Sequence, residues 1–327
     1  MFGLRARIAH PGAAGPLRSR QCPLPPVFAE CHRPATRART AVIAALVSLL
    51  TFACGSLHAS IIDSGDLLTV NSSRILNTYT YAGVPQQTLP INFAPVGLGF
   101  EGSPQGVAVI GNRLFIGMVS PNASFTPKIL EINPNTGAVV SVMNTATPQL
   151  TALGDDGTNL LLLNSLIVLP GDLWQVYTYN TAGALLAQTG VSRNSPNNFQ
   201  GEGIDSDGSS IFLSDTNAPQ NVITDSMAGA FQSTFSTGML PILNFIGGLA
   251  HDPNDDTLWV AGNSEFRHFT RTGTLLGAPN TGLGNSSWTG LEVIAIPEPS
   301  AFALITAGLL LAKSTARRRR PSVGGNR

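Results

Sequence analysis

A phrase of two short β-type runs, separated by a turn of Gly, Asp or Asn, recurs along the middle of the chain. Its copies begin at residues 106, 150, 203, 248 and 290, so successive starts are 44, 53, 45 and 42 residues apart. Periods of about 40–50 residues are typical of four-stranded propeller blades. Helical patterns are nearly absent from residues 60–296, and short runs between turns favour an all-β fold. The repeat therefore predicts a β-propeller over residues 60–296.

The second half of each copy has the pattern of a β-hairpin. One example is the run 175–179, followed by the turn 180–183 and the run 184–187, and similar hairpins follow residues 128 and 266. A glycine closes each of these turns and supplies the positive φ that a tight hairpin requires. Each copy thus contains an inner strand, a more apolar second strand and two outer strands.

The two ends of the repeating region are complementary. Residues 66–91 have the pattern of a blade without its inner strand, whereas residues 290–294 form an inner strand without a blade. Pairing them would close a ring and hide an exposed sheet edge. We therefore predict five blades, with six as the alternative if residues 91–104 or the long third copy contain further strands. A β-sandwich or an open solenoid is the competing architecture. The predicted ring resembles WD40-like and NHL-like propellers, without their full signatures.

The C-terminus carries three elements in a fixed order. Pro297, Glu298, Pro299 and Ser300 precede an apolar run over residues 301–312, which we expect to be helical, and a basic tail follows with Arg317, Arg318, Arg319 and Arg320. Prolines keep the first element extended, and arginines hold the end of an apolar segment on the cytoplasmic side. The order resembles the PEP-CTERM sorting signal of exported Gram-negative bacterial proteins. That resemblance implies an exosortase-type membrane enzyme as partner and a setting of exopolysaccharide production.

The apolar run is shorter than the roughly 20 residues of a full membrane span. We therefore expect a transient membrane anchor that is later cut. The division of the chain is an N-terminal extension or miscalled start (1–39), a signal peptide (40–59), the propeller (60–296), the sorting signal (297–320) and a tail (321–327).

A secretory signal precedes the propeller. Arg33, Arg37 and Arg39 lead into an apolar run over residues 41–53, and small residues follow up to Ala59. The basic residues, the length of the apolar run and the small residues that follow it predict export by the Sec machinery and cleavage by signal peptidase after Ala59. A lipoprotein site at Cys54 is the less favoured alternative. All three cysteines precede Ala59, so the mature domain must rely on its apolar core rather than on disulfides.

The propeller region is acidic. Residues 60–296 contain six basic and seventeen acidic residues, giving a net charge near −11 although the whole chain is formally neutral. This charge argues against nucleic acid as a partner.

No catalytic signature stands out in residues 60–296. The two histidines there, His251 and His268, are expected to be turn or surface residues, and no nucleophile elbow or phosphate loop is present. The acidic segments 155–157, 205–208 and 252–256 carry oxygen ligands of the kind that Ca²⁺ prefers, but Asp, Asn and Gly are also ordinary turn residues. We favour the turn interpretation.

One set of residues is positioned as a weaker candidate metal site. Glu101 and Glu202 precede inner strands, whereas Asn164, Asp215 and Asn263 follow second strands. In a propeller these positions gather near one mouth of the channel, and the set resembles the calcium centre of propeller lactonases. That resemblance implies Ca²⁺ as the cofactor of a hydrolase.

The favoured function is non-enzymatic and has no cofactor. We expect an inner-membrane-anchored precursor that is delivered to the periplasm, the outer surface or the extracellular matrix, where the propeller binds or scaffolds, with exopolysaccharide as an expected partner. A calcium-dependent hydrolase and a passive tail-anchored periplasmic protein are the alternatives. Four aromatic residues could contact sugars, although packing between blades is the favoured role for each: Phe100, Phe199, Trp259 and Trp288.

Overall fold

A computed structural model describes residues 60–63, 66–93, 102–119, 126–165, 174–191, 201–215, 220–239, 246–262, 265–280 and 288–294. A short 3₁₀ turn (Ile61–Asp63) precedes the strands. The strands are β1 (Leu67–Asn71), β2 (Ile75–Tyr79), β3 (Pro85–Pro90), β4 (Ser103–Ile110), β5 (Arg113–Val119), β6 (Lys128–Ile132), β7 (Val139–Asn144), β8 (Ala152–Asp155), β9 (Leu160–Asn164), β10 (Trp174–Tyr179), β11 (Leu185–Val191), β12 (Gly201–Ser206), β13 (Ser210–Asp215), β14 (Asn221–Ser226), β15 (Phe231–Ser236), β16 (Gly248–Asp252), β17 (Thr257–Ala261), β18 (Phe266–Thr270), β19 (Leu275–Gly277) and β20 (Trp288–Val293).

The described strands form five four-stranded antiparallel sheets. Four sheets consist of consecutive strands, β4–β7, β8–β11, β12–β15 and β16–β19. The fifth places β20 beside β1, β2 and β3, with Leu67 opposite Val293 and Leu68 opposite Glu292. The predicted split blade is therefore confirmed.

The blades close into a ring around five inner strands. Strand β20 packs against β4, β4 against β8, β8 against β12, β12 against β16, and β16 again against β20. This closed order confirms the five-bladed propeller and is incompatible with a sandwich or an open solenoid. The predicted C-terminal helix lies outside the described residues. Within the described ranges, no helix is long and apolar enough to cross a membrane.

Glycines allow the inner strands to approach one another at the axis. A Cβ atom added to Gly154 would collide with the carbonyl oxygen of Ile204, and one added to Gly248 would lie 2.6 Å from the backbone nitrogen of Leu291. Neither Gly154 nor Gly248 could be replaced by a larger residue unless the inner strands moved apart.

The core lies between neighbouring blades. Phe115 of one blade packs in a single cluster with Leu160, Leu162 and Tyr177 of the next. Burial of these side chains is the main favourable contribution to folding in an all-β domain without disulfides. The predicted packing role is confirmed for Trp259 and Trp288, which are each 3 % exposed, whereas Phe100 and Phe199 lie outside the described residues.

All five inner strands run toward the same end of the ring. We call this end the turn face. The inner strands finish there at Ile110, Asp155, Ser206, Asp252 and Val293. Because each blade is a meander, the turns from first to second strand and from third to fourth strand also lie on the turn face.

Candidate functional site: an acidic cavity on the propeller axis

A cavity of about 290 Å³ opens at the centre of the turn face. Every inner strand contributes to its wall near the point where that strand ends, through Val109, Asp155, Asp205, His251 and Glu292. The turns that follow complete the rim with Asn112, Asp156, Asp207 and Pro253. The cavity therefore exists only when all five blades are assembled.

Three carboxyl groups are buried in this cavity. Asp155, Asp205 and Glu292 are 7, 4 and 6 % exposed. Asp205 accepts hydrogen bonds from the backbone N–H groups of His251 (2.5 Å) and Asp155 (3.4 Å). Both of its oxygens are thus occupied by the backbone.

The other two carboxyls are only half satisfied. Oδ1 of Asp155 accepts the N–H of Gly157 at 2.7 Å, and Oε1 of Glu292 accepts the N–H of Val293 at 3.1 Å. Within the described part of the chain, Oδ2 of Asp155 and Oε2 of Glu292 are buried with no donor at hydrogen-bond geometry, although the two carboxyls are close enough to share a proton. What sets this pair apart from other buried polar atoms is that both oxygens belong to carboxyls that line one cavity.

Burial and mutual repulsion keep these acids from ionising easily. Burial raises the pKa of Asp155 to about 6. Burial raises the pKa of both Asp205 and Glu292 well above the usual range, and the charges of neighbouring acids raise them further. Perturbed carboxyls gathered in one cavity are a recognised mark of functional sites.

The basic side chains near the rim are already engaged. Arg271 pairs with Asp207 at 2.7 Å and with Asp256 at 3.2 Å. Nε2 of His251 lies 3.0 Å from Asp256, and its ring stacks on Phe212. The expectation that His251 is a turn or surface residue was wrong, because it lies on β16 and is 9 % exposed. No Lys or Arg is among the described residues that line the cavity.

The turn interpretation of the acidic segments is confirmed for Asp156, Asp207 and Asp252. Oδ1 of Asp156 accepts the N–H groups of Thr158 and Asn159, and the other two aspartates cap their turns in the same way. Sequence reasoning missed the different roles of Asp155, Asp205 and Glu292. A usable signal was a carboxylate at the end of an otherwise apolar inner strand, as in the runs 203–205 and 290–292.

The described residues of the predicted calcium site, Asn164, Glu202 and Asp215, lie at the opposite face. Glu202 is the extra residue of a β-bulge, between the pairs Gly201–Asp215 and Gly203–Ser214. Burial raises the pKa of Glu202 to about 7, and Asn164 ends β9 at the same face of the ring. Glu101 and Asn263 lie outside the described residues. Among those described, no group of three or more His, Cys, Asp or Glu residues could hold a metal ion.

The residues predicted to direct export also lie outside the described ranges, so the geometry does not bear on them. They are Ala59, Pro297, Glu298, Pro299, Ser300, Arg317, Arg318, Arg319 and Arg320.

A second cleft, of about 230 Å³, lies on the turn face between the blades of β18 and β2. Tyr81 and His268 both stack on Trp259, with ring centroids 5.2 and 4.1 Å away. The hydroxyl of Tyr81 donates to Asp252 at 2.5 Å. Because Tyr81 and His268 cover Trp259, its faces serve packing between blades and offer no flat surface to a sugar.

No family model and no curated protein matches this sequence. Among solved structures, the chain is similar to one in a nidogen/laminin complex, with 11 % identity and a TM-score of 0.43 over 70 % of this chain and 98 % of that one. It is also similar to BamB from Moraxella catarrhalis (16 % identity, TM-score 0.32, 65 % of this chain and 58 % of that one). A protein of unknown function from Bacteroides caccae shows 17 % identity and a TM-score of 0.31 over 47 % of this chain and 54 % of that one. The fold assignment rests on the strand order of this chain.

Proposed function

We propose that this protein is an exported, non-enzymatic binding propeller that takes its ligand at the turn-face cavity. The observation that carries the proposal is the cavity itself, to which all five blades contribute and in which three carboxyls are buried. Open concave sites with a few polar groups are the usual form of ligand sites in proteins. No nucleophile–base pair was identified in the sequence, which favours binding over catalysis.

The two ends of the chain support export and sorting. The signal-peptide pattern ends at Ala59, and the Pro297–Ser300 motif, apolar run and arginine cluster follow the last strand. Ile294 leaves the propeller at the turn face, where its N–H bonds to the carbonyl of Asp66 at 2.8 Å. In this proposal the Sec machinery and signal peptidase process the N-terminus and an exosortase-type enzyme processes the C-terminus. The propeller then reaches the periplasm, outer surface or exopolysaccharide matrix.

Mass spectrometry of the protein from its native cell, with both termini sequenced, tests the sorting proposal. We expect the chain to begin at Ser60 and to end near residues 297–299. An intact arginine-rich C-terminus in the inner membrane would instead support a passive tail-anchored protein. Binding of the mature domain to matrix polysaccharide, measured on immobilised glycans, tests the binding role separately.

A calcium-dependent hydrolase is the second candidate. It is favoured by the half-buried Glu202 on a bulge beside Asp215, because bulges are common next to active sites. This candidate requires that Ca²⁺ raise the melting temperature, and that Glu202→Ala and Asp215→Ala abolish the increase. An unchanged melting temperature with Ca²⁺ would eliminate it.

A further inference from the structure

Two carboxylate oxygens in the turn-face cavity lack a donor. When both carboxyls are ionised, Oδ2 of Asp155 and Oε2 of Glu292 have no hydrogen-bond donor in the described residues, and both side chains are more than nine-tenths buried. Both side chains also line the cavity. A buried acceptor without a donor is costly, so proteins rarely keep one unless a ligand or ion satisfies it. A proton shared by the two carboxyls satisfies these oxygens when one carboxyl is protonated. In the ionised state they mark a position for a donor from outside the chain.

Among the described residues that line the cavity, no Lys or Arg balances the charge that its acids carry when ionised. Asp205 adds a third carboxyl, and its oxygens already accept backbone N–H groups. Arg271 pairs with Asp207 and Asp256 on the rim. A partner that both donates hydrogen bonds and carries positive charge would satisfy the pair in its ionised state.

We propose that the turn-face cavity binds an organic cation with N–H donors, an alkylguanidinium or alkylammonium group, held between Asp155 and Glu292. This inference rests on the proposed binding function and names the ligand class for the same cavity. The forked donors of a guanidinium can satisfy two carboxylate oxygens at once. A calcium ion would need six to eight oxygen ligands, whereas two carboxylate oxygens are free here. A space of about 290 Å³ also suits a side-chain-sized cation better than a bare ion.

Protons compete with such a ligand. The Asp155 and Glu292 carboxyls are close enough to hydrogen-bond when one of them is protonated. The other titratable groups lining the cavity are Asp205, Asp156, Asp207 and His251. Because the cation replaces a proton, its affinity should fall by about tenfold for each pH unit below 6, and level off above the pKa values of the acids.

The test is calorimetric titration of the mature protein at pH 7.5 with methylguanidinium, tetramethylammonium and Ca²⁺. We expect methylguanidinium to bind at least tenfold more tightly than tetramethylammonium, which has the charge but no N–H donor, and Ca²⁺ not to compete. Glu292→Gln should weaken binding at least tenfold, because its amide can donate to Asp155 and so replace the ligand. Asp155→Asn, which removes the other carboxylate of the pair, is the second test variant. Asp256→Asn removes a charge from the same face and should change affinity less than twofold.

A capped Gly-Arg-Gly peptide and its citrulline counterpart distinguish the source of the cation. Tighter binding of the arginine peptide than of methylguanidinium indicates a basic segment of a protein partner, whereas weaker binding indicates a free small cation. No binding of any cation, equal binding of tetramethylammonium, or Ca²⁺ binding that Glu292→Gln abolishes would each overturn the inference. Retained binding to matrix glycans would then show that the general binding function survives without it.

Discussion

The substitution Asp155→Asn should stabilise this protein at neutral pH, although it removes a carboxylate from the turn-face cavity. An acid whose pKa is raised on folding binds more protons in the folded state than in the unfolded chain. Stability therefore falls as pH rises between the two values. For Asp155 these values are 3.8 and about 6, with burial as the main cause. One pKa unit corresponds to about 1.4 kcal/mol, so the ionised carboxylate costs about 3 kcal/mol above pH 6.

Asparagine removes that cost and keeps the useful contacts. Its carbonyl oxygen can still accept the N–H of Gly157, and its amide can donate to Oε2 of Glu292, which has no donor among the described residues. We expect Asp155→Asn and wild type to have similar unfolding free energies at pH 4. The variant should become more stable by about 3 kcal/mol at pH 7.5.

Urea unfolding of protein dialysed free of small cations, at half-unit steps from pH 4 to 8, measures the effect. Asp256→Asn is the matched control and should have the opposite sign, because its hydrogen bond with His251 lowers the pKa of Asp256. Stability that does not change from pH 4 to 8 in the wild type, or a loss of stability in Asp155→Asn at pH 7.5, would refute this reasoning.

Three further predictions concern the ring and the opposite face. Trp288→Ala should cost about 3–5 kcal/mol in urea unfolding, because Trp288 stacks on Phe266 where the last inner strand completes the ring; a loss below about 1 kcal/mol would contradict this packing role. Gly154→Ala should lower the melting temperature sharply, whereas Gly277→Ala, which has open space around its Cβ position, should leave it nearly unchanged. Glu202→Gln should match wild type at pH 4.5 and be more stable at pH 8, since burial raises the pKa of Glu202; equal stability at both pH values would show that this carboxyl ionises freely.

The blade architecture was predictable from the sequence because it depends on local patterns that repeat. Each blade is a meander of short runs with a glycine at its hairpin turn, as at Gly183 and Gly273, which both have positive φ. The split blade was predictable because the repeat begins with a blade that lacks its inner strand and ends with a single inner strand. Pairing the two removes both exposed sheet edges. Both inferences need only neighbouring residues and a count of strands.

The acidic cavity was harder to predict because it depends on which side chains meet on the axis. Asp155 and Asp156 are adjacent in sequence, yet Asp156 caps a turn whereas Asp155 is buried. Glu292 comes from a strand 137 residues further along the chain. Turn chemistry explains Asp156, and only ring closure reveals the role of Asp155.

The three buried acids make the cavity polar at a level of the channel where apolar side chains would also fit. Inner-strand positions next to them hold Val109 and Val293, so apolar side chains fit at this level of the channel. Replacing buried charged groups by apolar residues is often neutral or stabilising. Because burial raises the pKa of Asp155, Asp205 and Glu292, these acids lower the stability of the folded state as pH rises. A structure stabilised by five interlocked blades can tolerate this loss, but packing alone gives no reason for it. Conflicts of this kind between a residue and its surroundings occur mainly at functional sites.

The loss of stability is reversed when a cation binds, because the same charges that repel one another attract the ligand. Stability that rises with added cation, and rises more at pH 7.5 than at pH 5, is therefore the expected behaviour of this propeller.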